Sequence, residues 1–259
     1  MARPTAAVVH FEERPEMELP GSSGWVRVMI DGSMGARRLL QRVFRFEPGH
    51  TPDLHNETSE DVMFVVSGVG TADLGTASVE LAPGTAVYVP PAVAYRIENR
   101  GPHDLVLVSV LSPPPGGKRG SAGGPGSSDG RVDGPAGDRP VRYWVREEDR
   151  EMLPAGDDRT FRVLVDPAIG CRNVAQFVGY ISAVAAPAHV HAYEEVVHVL
   201  DGDGVVEIDE EVHPVAAGSS VFLPPGVPHR LASAGGETLR VLGVFSPAGS
   251  PTSKDDTTA

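Results

Sequence analysis

Apolar residues in this chain occur in short runs separated by turn residues. Val196–Leu200, Val205–Ile208 and Val221–Leu223 are examples, each close to Gly, Pro or Asp. Runs of this length, rich in β-branched residues and without helical periodicity, are typical of strands. A unit of many short strands must bury its apolar faces in a sandwich or a closed barrel, so the pattern predicts an all-β fold.

The same pattern occurs twice along the chain. Residues 27–31 match residues 162–166, and Gly35 recurs at the same offset as Gly170. Further matches are Arg37 with Arg172, Ser112-Pro113 with Ser246-Pro247, and Gly68, Gly70, Gly84, Pro90 and Pro91 with Gly202, Gly204, Gly218, Pro224 and Pro225. The register holds almost without insertion, so we interpret the two copies as an internal duplication.

A segment with almost no large apolar residue separates the two copies. It is rich in Gly, Pro, Ser and charged residues, which is typical of a solvated linker. A chain of 259 residues is long enough for two domains that each bury a core. We therefore predict an N-terminal barrel over 1–115, a flexible linker over 116–139, a C-terminal barrel over 140–248 and a disordered tail over 249–259.

The charge of the chain narrows the range of partners. The formal net charge is −13, whereas nucleic acids and anionic membranes are bound through clustered Lys and Arg, so we expect neither partner. No apolar stretch approaches the length of a membrane span, and residues 1–11 lack a signal-peptide pattern. Cys171 is the only cysteine, so no internal disulfide is possible. These features predict a cytoplasmic protein, either monomeric or homodimeric.

The second copy carries a cluster of potential metal ligands. Alternate residues of a strand point the same way, so His189 and His191 share a face, which Glu195 rejoins after three intervening residues. Downstream, a strand ends in a Pro-Pro-Gly turn that can deliver His229 to the same cavity. Neutral imidazoles with one carboxylate suit a first-row divalent ion. His198 has the opposite strand parity and is predicted to point away.

These motifs resemble those of the cupin superfamily. The first cupin motif has two His one residue apart, then a Glu and a Gly, and is met by His189, His191, Glu195 and Gly202. The second is met by Gly218, Pro224, Gly226 and His229. Ala183 and Ser233 depart from the usual glycine and asparagine, and neither position is a ligand. The resemblance implies two tandem jelly-roll (cupin) barrels, with Fe, Mn, Ni or Zn held by His189, His191, Glu195 and His229.

The first copy keeps the turns and apolar strands of the second but not its ligands. At the positions of His189, His191, Glu195 and His229 it has His55, Glu57, Asp61 and Tyr95. One His with two carboxylates is able to hold a harder ion such as Mn or Mg. We expect instead that this barrel has lost its metal, because the scaffold does not depend on one. The prediction is one divalent metal per chain.

Candidate substrate contacts come from the strand that precedes the histidine motif. Gln176 and Tyr180 share one face of that strand, while Phe177 and Gly179 share the other, and the sequence leaves open which face lines the cavity. We take Gln176 and Tyr180 as candidates, together with Arg172, which is able to pair with a substrate carboxylate. The repetition of Arg172 in the first copy favours a structural salt bridge instead, with Asp166 or Asp31 as partners.

The resemblance leaves several functions open. Bicupin dioxygenases, oxalate decarboxylases and isomerase-type bicupins share the His-His-Glu-His set, which implies a metal-dependent enzyme with a small-molecule substrate. With Fe or Mn the reaction would be oxygenation or decarboxylation, whereas Zn, Ni or Co would act as a Lewis acid in isomerisation, cyclisation or hydrolysis. A non-catalytic cupin that binds a small molecule is the remaining class. The sequence identifies no catalytic residue beyond the ligands.

Overall fold

The computed structural model describes residues 6–115, 142–156, 159–182 and 188–249. The predicted linker over 116–139 and position Ala183 lie outside these ranges, as does the predicted tail apart from Gly249. Within them, no helix is long and apolar enough to cross a membrane. The helices that are present are short 3-10 turns at Phe11–Glu13, Gly32–Met34, Glu147–Asp149 and Pro167–Ile169.

Strands dominate both copies, as the apolar pattern predicts. Before residue 116 they are β1 (Ala7–Val9), β2 (Met17–Leu19), β3 (Gly24–Ile30), β4 (Leu40–Phe46), β5 (Gly49–His50), β6 (Glu60–Ser67), β7 (Gly70–Asp73), β8 (Ser78–Leu81), β9 (Thr85–Val89), β10 (Arg96–Asn99) and β11 (Leu105–Ser112). After residue 141 they are β12 (Trp144–Arg146), β13 (Leu153–Gly156), β14 (Arg159–Val165), β15 (Ala175–Ile181), β16 (Glu194–Asp201), β17 (Asp203–Ile208), β18 (Glu211–Ala216), β19 (Ser220–Leu223), β20 (His229–Ser233) and β21 (Leu239–Ser246).

Each copy folds as a large sheet packed on a small one. The large sheets have the strand orders β12-β9-β6-β11-β4-β3-β2 and β1-β19-β16-β21-β15-β14-β13. The small sheets have the orders β5-β10-β7-β8 and β18-β17-β20. All the neighbouring strands pair antiparallel, for example β6 with β11 and β16 with β21. The prediction of two tandem jelly-roll barrels is confirmed.

Both faces of each large sheet are buried. One face packs on the small sheet of its own barrel, where Val197 and Val241 join Val206 in a core. The other face packs against the large sheet of the other barrel, where Phe64 and Phe222 belong to one shared core. Burial on two faces explains why the central strands are apolar runs rather than alternating ones.

The barrels exchange strands. The first strand, β1, lies at the edge of the C-terminal sheet with Ala7 opposite Phe222. In the same way β12 lies at the edge of the N-terminal sheet with Trp144 opposite Val87. Each predicted domain, 1–115 and 140–248, is therefore completed by one strand from the other.

A buried glutamate in each copy also fastens the barrels together. The Glu60 carboxylate accepts hydrogen bonds from the backbone N–H of Arg172 and of Asn173, at 2.8 and 2.7 Å. The Glu194 carboxylate does the same for the N–H groups of residues 37–39 in the first copy. In both copies the donors follow a 3-10 turn that ends in a left-handed glycine, Gly35 or Gly170, with φ of 93° and 107°. The positive φ explains why glycine stands at both positions.

We expect Glu60→Gln to lower the free energy of unfolding by about 2–3 kcal/mol. The change places an NH2 group against backbone N–H donors and removes a charge-assisted acceptor from a buried position. Urea denaturation followed by circular dichroism measures the difference. Glu80→Gln, on an exposed position of β8, is the matched control and should change the value by less than about 0.5 kcal/mol. Equal effects of the two substitutions would contradict a fastening role for Glu60.

Candidate metal centre

The two histidine motifs are joined through their backbones. His189 and His229 each donate an N–H to the other's carbonyl oxygen at 3.0 Å. The N–H of Gly226, in the turn before His229, donates to the carbonyl of His191 at 2.8 Å. This short antiparallel pairing places motifs that are far apart in the sequence side by side.

Three imidazoles converge at this point. One ring nitrogen from each of His189, His191 and His229 lies within 4.8 Å of the others. Glu195, the second residue of β16, lines the same cavity, and its Oε2 is 3.4 Å from Nε2 of His191. The structure thus brings together the four residues that the sequence predicts as ligands.

Neighbouring groups hold the imidazole rings in place. Nδ1 of His229 lies 2.9 Å from the Val227 carbonyl, so Nδ1 is assigned as the protonated nitrogen and Nε2 keeps its lone pair for a metal. The ring of Tyr193 stacks on His191 with a centroid distance of 4.3 Å and an interplanar angle of 13°. Phe245 stacks in turn on Tyr193 at 4.6 Å. These contacts restrict the rotation of two of the three rings.

Burial sets the protonation of the site. It lowers the pKa of His191 to about 3, assisted by the neighbouring histidines, and it is the main cause that lowers the pKa of His229 to about 4. Both rings are therefore neutral near pH 7, which is the form that binds metals. Burial also raises the pKa of Glu195 to about 8, because its carboxylate has lost water. A divalent cation at the imidazoles would stabilise that carboxylate, so the donor set fits such an ion.

The site opens into a cavity of about 100 Å³ inside the C-terminal barrel. Two glycines shape its wall. A Cβ atom at Gly243 would lie 2.2 Å from Cζ of Phe177, and one at Gly179 would lie 3.2 Å from a methyl group of Val241. Because these positions have no side chain, the Phe177 ring has room to pack in the cavity wall. Of the two faces of β15, the one that lines the cavity carries Phe177, Gly179 and Ile181.

The structure therefore corrects the predicted substrate contacts. Gln176 and Tyr180 lie on the opposite face of β15, which packs toward the other barrel. Gln176 is fully buried there, and the Tyr180 hydroxyl donates to the carboxylate of Glu147. Arg172 lies outside the cavity lining, with an exposed side chain and its backbone N–H bound to Glu60. Its proposed partner Asp166 instead caps the 3-10 turn through the N–H of Ala168.

The structure of the N-terminal barrel shows that the alignment of the two copies must shift by one residue at the first two ligand positions. The backbone bridge that joins His189 to His229 has its counterpart between Leu54 and Tyr95, not between His55 and Tyr95. In agreement, the N–H of Ala92 donates to the carbonyl of Asn56, just as the N–H of the matching Gly226 donates to the carbonyl of His191. Leu54 and Asn56 thus occupy the positions of the first two ligands.

His55 and Glu57, which the sequence assigns to those positions, point outward. Their side chains are 56% and 77% exposed and pair with each other at 3.1 Å. A shift of one residue reverses the face to which each side chain of a strand points. Asp61 and Tyr95 do lie at the positions of Glu195 and His229, and both are buried.

In the N-terminal barrel, an arginine pairs with the carboxylate at the position of Glu195. Nη2 of Arg42 lies 3.0 Å from Oδ2 of Asp61, whose side chain is fully buried. Ser109 donates to Asp61 at 2.7 Å, and Asn56 donates to it at 3.4 Å. Burial raises the pKa of Asp61, while the Arg42 guanidinium and these hydrogen bonds act in the opposite direction. The Arg42 guanidinium thus already pairs with the remaining carboxylate, which is consistent with the expectation that this barrel binds no metal.

The two copies also differ in how the cavity is filled. By the internal repeat, Arg42, Phe44 and Ser109 correspond to Phe177, Gly179 and Gly243. Phe44 belongs to the buried core of the N-terminal barrel, where it stacks on Phe46 at 5.6 Å. Among the described residues, the His189, His191 and His229 group is the one cluster of His, Cys, Asp or Glu with the spacing for a metal.

Sequence reasoning missed some residues of the site and placed others correctly. Tyr193 and Arg159 both line the cavity, and no sequence motif marked either one. The position of Tyr193 between two ligands was the available signal. His198 points away as predicted, with its Nδ1 3.0 Å from the Ser220 hydroxyl. His213 lies near the surface, 3.9 Å from Glu211.

Comparison with known proteins agrees with this architecture. The cupin domain model matches residues 42–111 and 181–245, one stretch in each barrel. An uncharacterized protein of Streptomyces coelicolor is 43% identical over 78 residues, which are 30% of this chain and 73% of that protein. Two tandem jelly rolls with three clustered histidines define a bicupin with a candidate metal site in its C-terminal barrel. The chain belongs to the cupin family.

Solved structures share the fold across nearly the whole chain. Protein YlbA of Escherichia coli superposes with a TM-score of 0.74 and 14% identity, over 94% of this chain and 91% of that one. An oxalate decarboxylase of Bacillus subtilis, in a deletion variant, superposes with a TM-score of 0.70 and 16% identity, over 93% of this chain and 77% of that one. At these identities the likeness concerns the fold alone.

Proposed function

We propose that this chain is a metal-dependent enzyme that acts on a small metabolite coordinated to one divalent metal in the C-terminal barrel. The observation that carries the proposal is the convergence of His189, His191 and His229 beside Glu195 at the wall of an open cavity. A divalent ion bound there supplies Lewis acidity and, if it is redox-active, a route to dioxygen chemistry. Four protein ligands leave coordination positions for a substrate.

Oxygenase or decarboxylase chemistry is favoured within this proposal. Isomerisation, cyclisation and hydrolysis generally require a general base that accepts a proton near neutral pH. Outside the ligand set, the titratable groups among the described lining residues are Arg159 and Tyr193. Neither a guanidinium nor a phenol is a good base at pH 7. A reaction in which the metal and the substrate do most of the chemistry fits this lining better.

Turnover measurements test the proposal. The protein is purified without added metal, its bound ion is identified by elemental analysis, and oxygen uptake and CO2 release are recorded with a panel of carboxylic acids and diketones. We expect turnover of at least one compound, with a loss of at least about 100-fold in His229→Ala. His213→Ala removes an imidazole outside the cavity and should leave turnover unchanged.

Two outcomes would contradict the proposal. Turnover that survives His229→Ala would place the chemistry elsewhere. Metal-loaded protein that takes up no oxygen and releases no CO2 with any member of the panel, but isomerises or hydrolyses one, would replace the oxygenase or decarboxylase reaction with Lewis-acid chemistry.

A further inference from the structure

A second cavity lies between the two barrels. It measures about 270 Å³ and is open on one side. Its lining comes from β6 and the turn before β9, from β12 and the 3-10 turn that follows it, and from β14, β15 and β21. Six of the lining residues are charged or carry a hydroxyl group: Arg146, Glu147, Glu148, Arg162, Tyr180 and Arg240. We call this cavity the inter-barrel cleft.

An ion pair neutralises one of the three arginines in the cleft. Arg240 pairs with the carboxylate of Glu147, and the hydroxyl of Tyr180 donates a hydrogen bond to the same carboxylate. The charged residues that remain in the described lining are two arginines and Glu148. Positive charge is therefore in excess in this cleft, although the chain as a whole carries a formal net charge of −13.

The two remaining arginines, Arg146 and Arg162, bond to neutral groups. Nη1 of Arg162 donates to three backbone carbonyls of the neighbouring turn, at 2.5 to 3.0 Å. Nη1 of Arg146 lies 3.5 Å from the Thr85 hydroxyl, and its guanidinium carbon lies 6.0 Å from the centre of the Trp144 ring. Within the described residues neither arginine forms an ion pair with a carboxylate, and Nη2 of each takes part in none of these hydrogen bonds. Both side chains therefore keep an uncompensated charge and an N–H group for a further acceptor.

The first copy has the same turn without the excess of charge. Nη1 of Arg27, the counterpart of Arg162, donates to the backbone carbonyls of Phe11 and Arg14. The carboxylate of Glu16 lies 3.6 Å from Nη2 of Arg27, and the guanidinium lies over the Phe11 ring at 4.4 Å. An arginine thus holds the turn in both copies, but of the two arginines Arg162 lacks a carboxylate partner.

The other charged positions of the cleft also differ between the copies. By the internal repeat, the first copy has His10, Phe11 and Val106 where the cleft has Arg146, Glu147 and Arg240. The same fold therefore forms without two of the three arginines. A role in binding a ligand explains these arginines better than a role in building the barrels.

We propose that the inter-barrel cleft binds a small oxyanion, a phosphate or carboxylate group, between Arg146 and Arg162. A guanidinium presents its N–H groups in a planar fork that matches either oxyanion. Glu148 lies in the same lining and repels a highly charged ligand such as a triphosphate. Pockets for drug-sized ligands measure about 300–1,000 Å³, so this cleft suits a smaller metabolite that carries one such group. The site is independent of the metal centre, because the two cavities share no lining residue.

Anion binding to charge variants tests the proposal. Inorganic phosphate and, separately, acetate are titrated calorimetrically into the metal-loaded full chain near pH 7. We expect at least one of them to bind at one site per chain with a Kd at or below about 1 mM. Arg146→Gln should weaken this binding about tenfold, because it removes a charge-assisted donor. Glu148→Gln should tighten it about twofold, because it removes a like charge, and a loss of folding cannot produce that gain.

Arg142→Gln is the matched control. The guanidinium carbon of Arg142 lies 5.9 Å from the centre of the Trp144 ring, but the residue is exposed and lies outside the cleft lining. This substitution should leave anion binding unchanged. Binding of phosphate without acetate, or of acetate without phosphate, supports the proposal and identifies the oxyanion.

Three results would overturn the proposal. The first is that neither anion binds to the unmodified chain. The second is an equal loss of binding in Arg146→Gln and Arg142→Gln, which would show a general effect of charge. The third is binding that disappears in His229→Ala but persists in Arg146→Gln, which would place the anion on the metal. Because the cleft and the metal centre are tested by different variants, failure of this proposal leaves the proposed function standing.

Discussion

His191→Ala and His229→Ala are each expected to lower the metal content of the purified protein from near one ion per chain to less than about a tenth of that value. Each change removes one of three imidazoles whose nitrogens lie within 4.8 Å of one another. The remaining donors cannot supply the lost bond to the metal. The affinity for the metal should therefore fall by more than the 10- to 100-fold that is typical when a residue hydrogen-bonded to a ligand is removed. Elemental analysis of protein purified under identical conditions measures the result.

His55→Ala and His213→Ala are the controls for this experiment. Both side chains are at or near the surface and pair with exposed glutamates. Neither substitution should change the metal content. A stoichiometry near two ions per chain that falls in His55→Ala would show that the N-terminal barrel binds metal after all. Metal retained at full content in His191→Ala and His229→Ala would place the site elsewhere.

Arg42→Ala is expected to lower the free energy of unfolding by about 3–5 kcal/mol, because it leaves the Asp61 carboxylate buried without a cation. The Asp61 side chain is fully buried and that of Arg42 is 18% exposed, so water cannot replace the lost guanidinium easily. Chemical denaturation of the full chain, followed by circular dichroism, measures the loss. Metal content should be unaffected, since Arg42 lies in the other barrel.

Two further variants separate the ion pair from simple loss of packing. Arg96→Ala breaks an exposed pair with Asp53 and should cost less than about 1 kcal/mol. The double change Arg42→Met with Asp61→Asn removes both charges while keeping most of the volume, and should recover more than half of the stability lost in Arg42→Ala. If the double variant is as unstable as Arg42→Ala, packing rather than the unpaired charge explains the effect.

The fold was predictable from the sequence because the sequence patterns that indicate strands and turns are local. Short apolar runs predict strands, and glycines with positive φ, such as Gly35 and Gly170, must recur wherever the same turn recurs. The repeat therefore revealed two copies of one barrel without any knowledge of tertiary contacts. The clustering of the candidate ligands was predictable for a similar reason, since strand parity places His189 and His191 on one face.

The face of β15 could not be predicted, because its large sheet is buried on both sides. Gln176 and Phe177 are neighbours on one strand, and only the packing of the two barrels decides that Phe177 faces the cavity and Gln176 the other barrel. Where both faces are apolar, period-two alternation disappears and parity loses its meaning. Strand parity therefore left both faces open, and the candidates Gln176 and Tyr180 lie on the face that does not line the metal cavity.

The first barrel shows the same division between local and tertiary information. Sequence alignment placed His55 and Glu57 at the ligand positions, and only the backbone bridge between Leu54 and Tyr95 shows the shift of one residue that turns both side chains outward. The sequence by itself determined two jelly rolls, their turns and one His-His-Glu-His set. Tertiary structure decided which side chains enter each barrel, including the pairing of Arg42 with Asp61, because such contacts join strands that are distant in the chain.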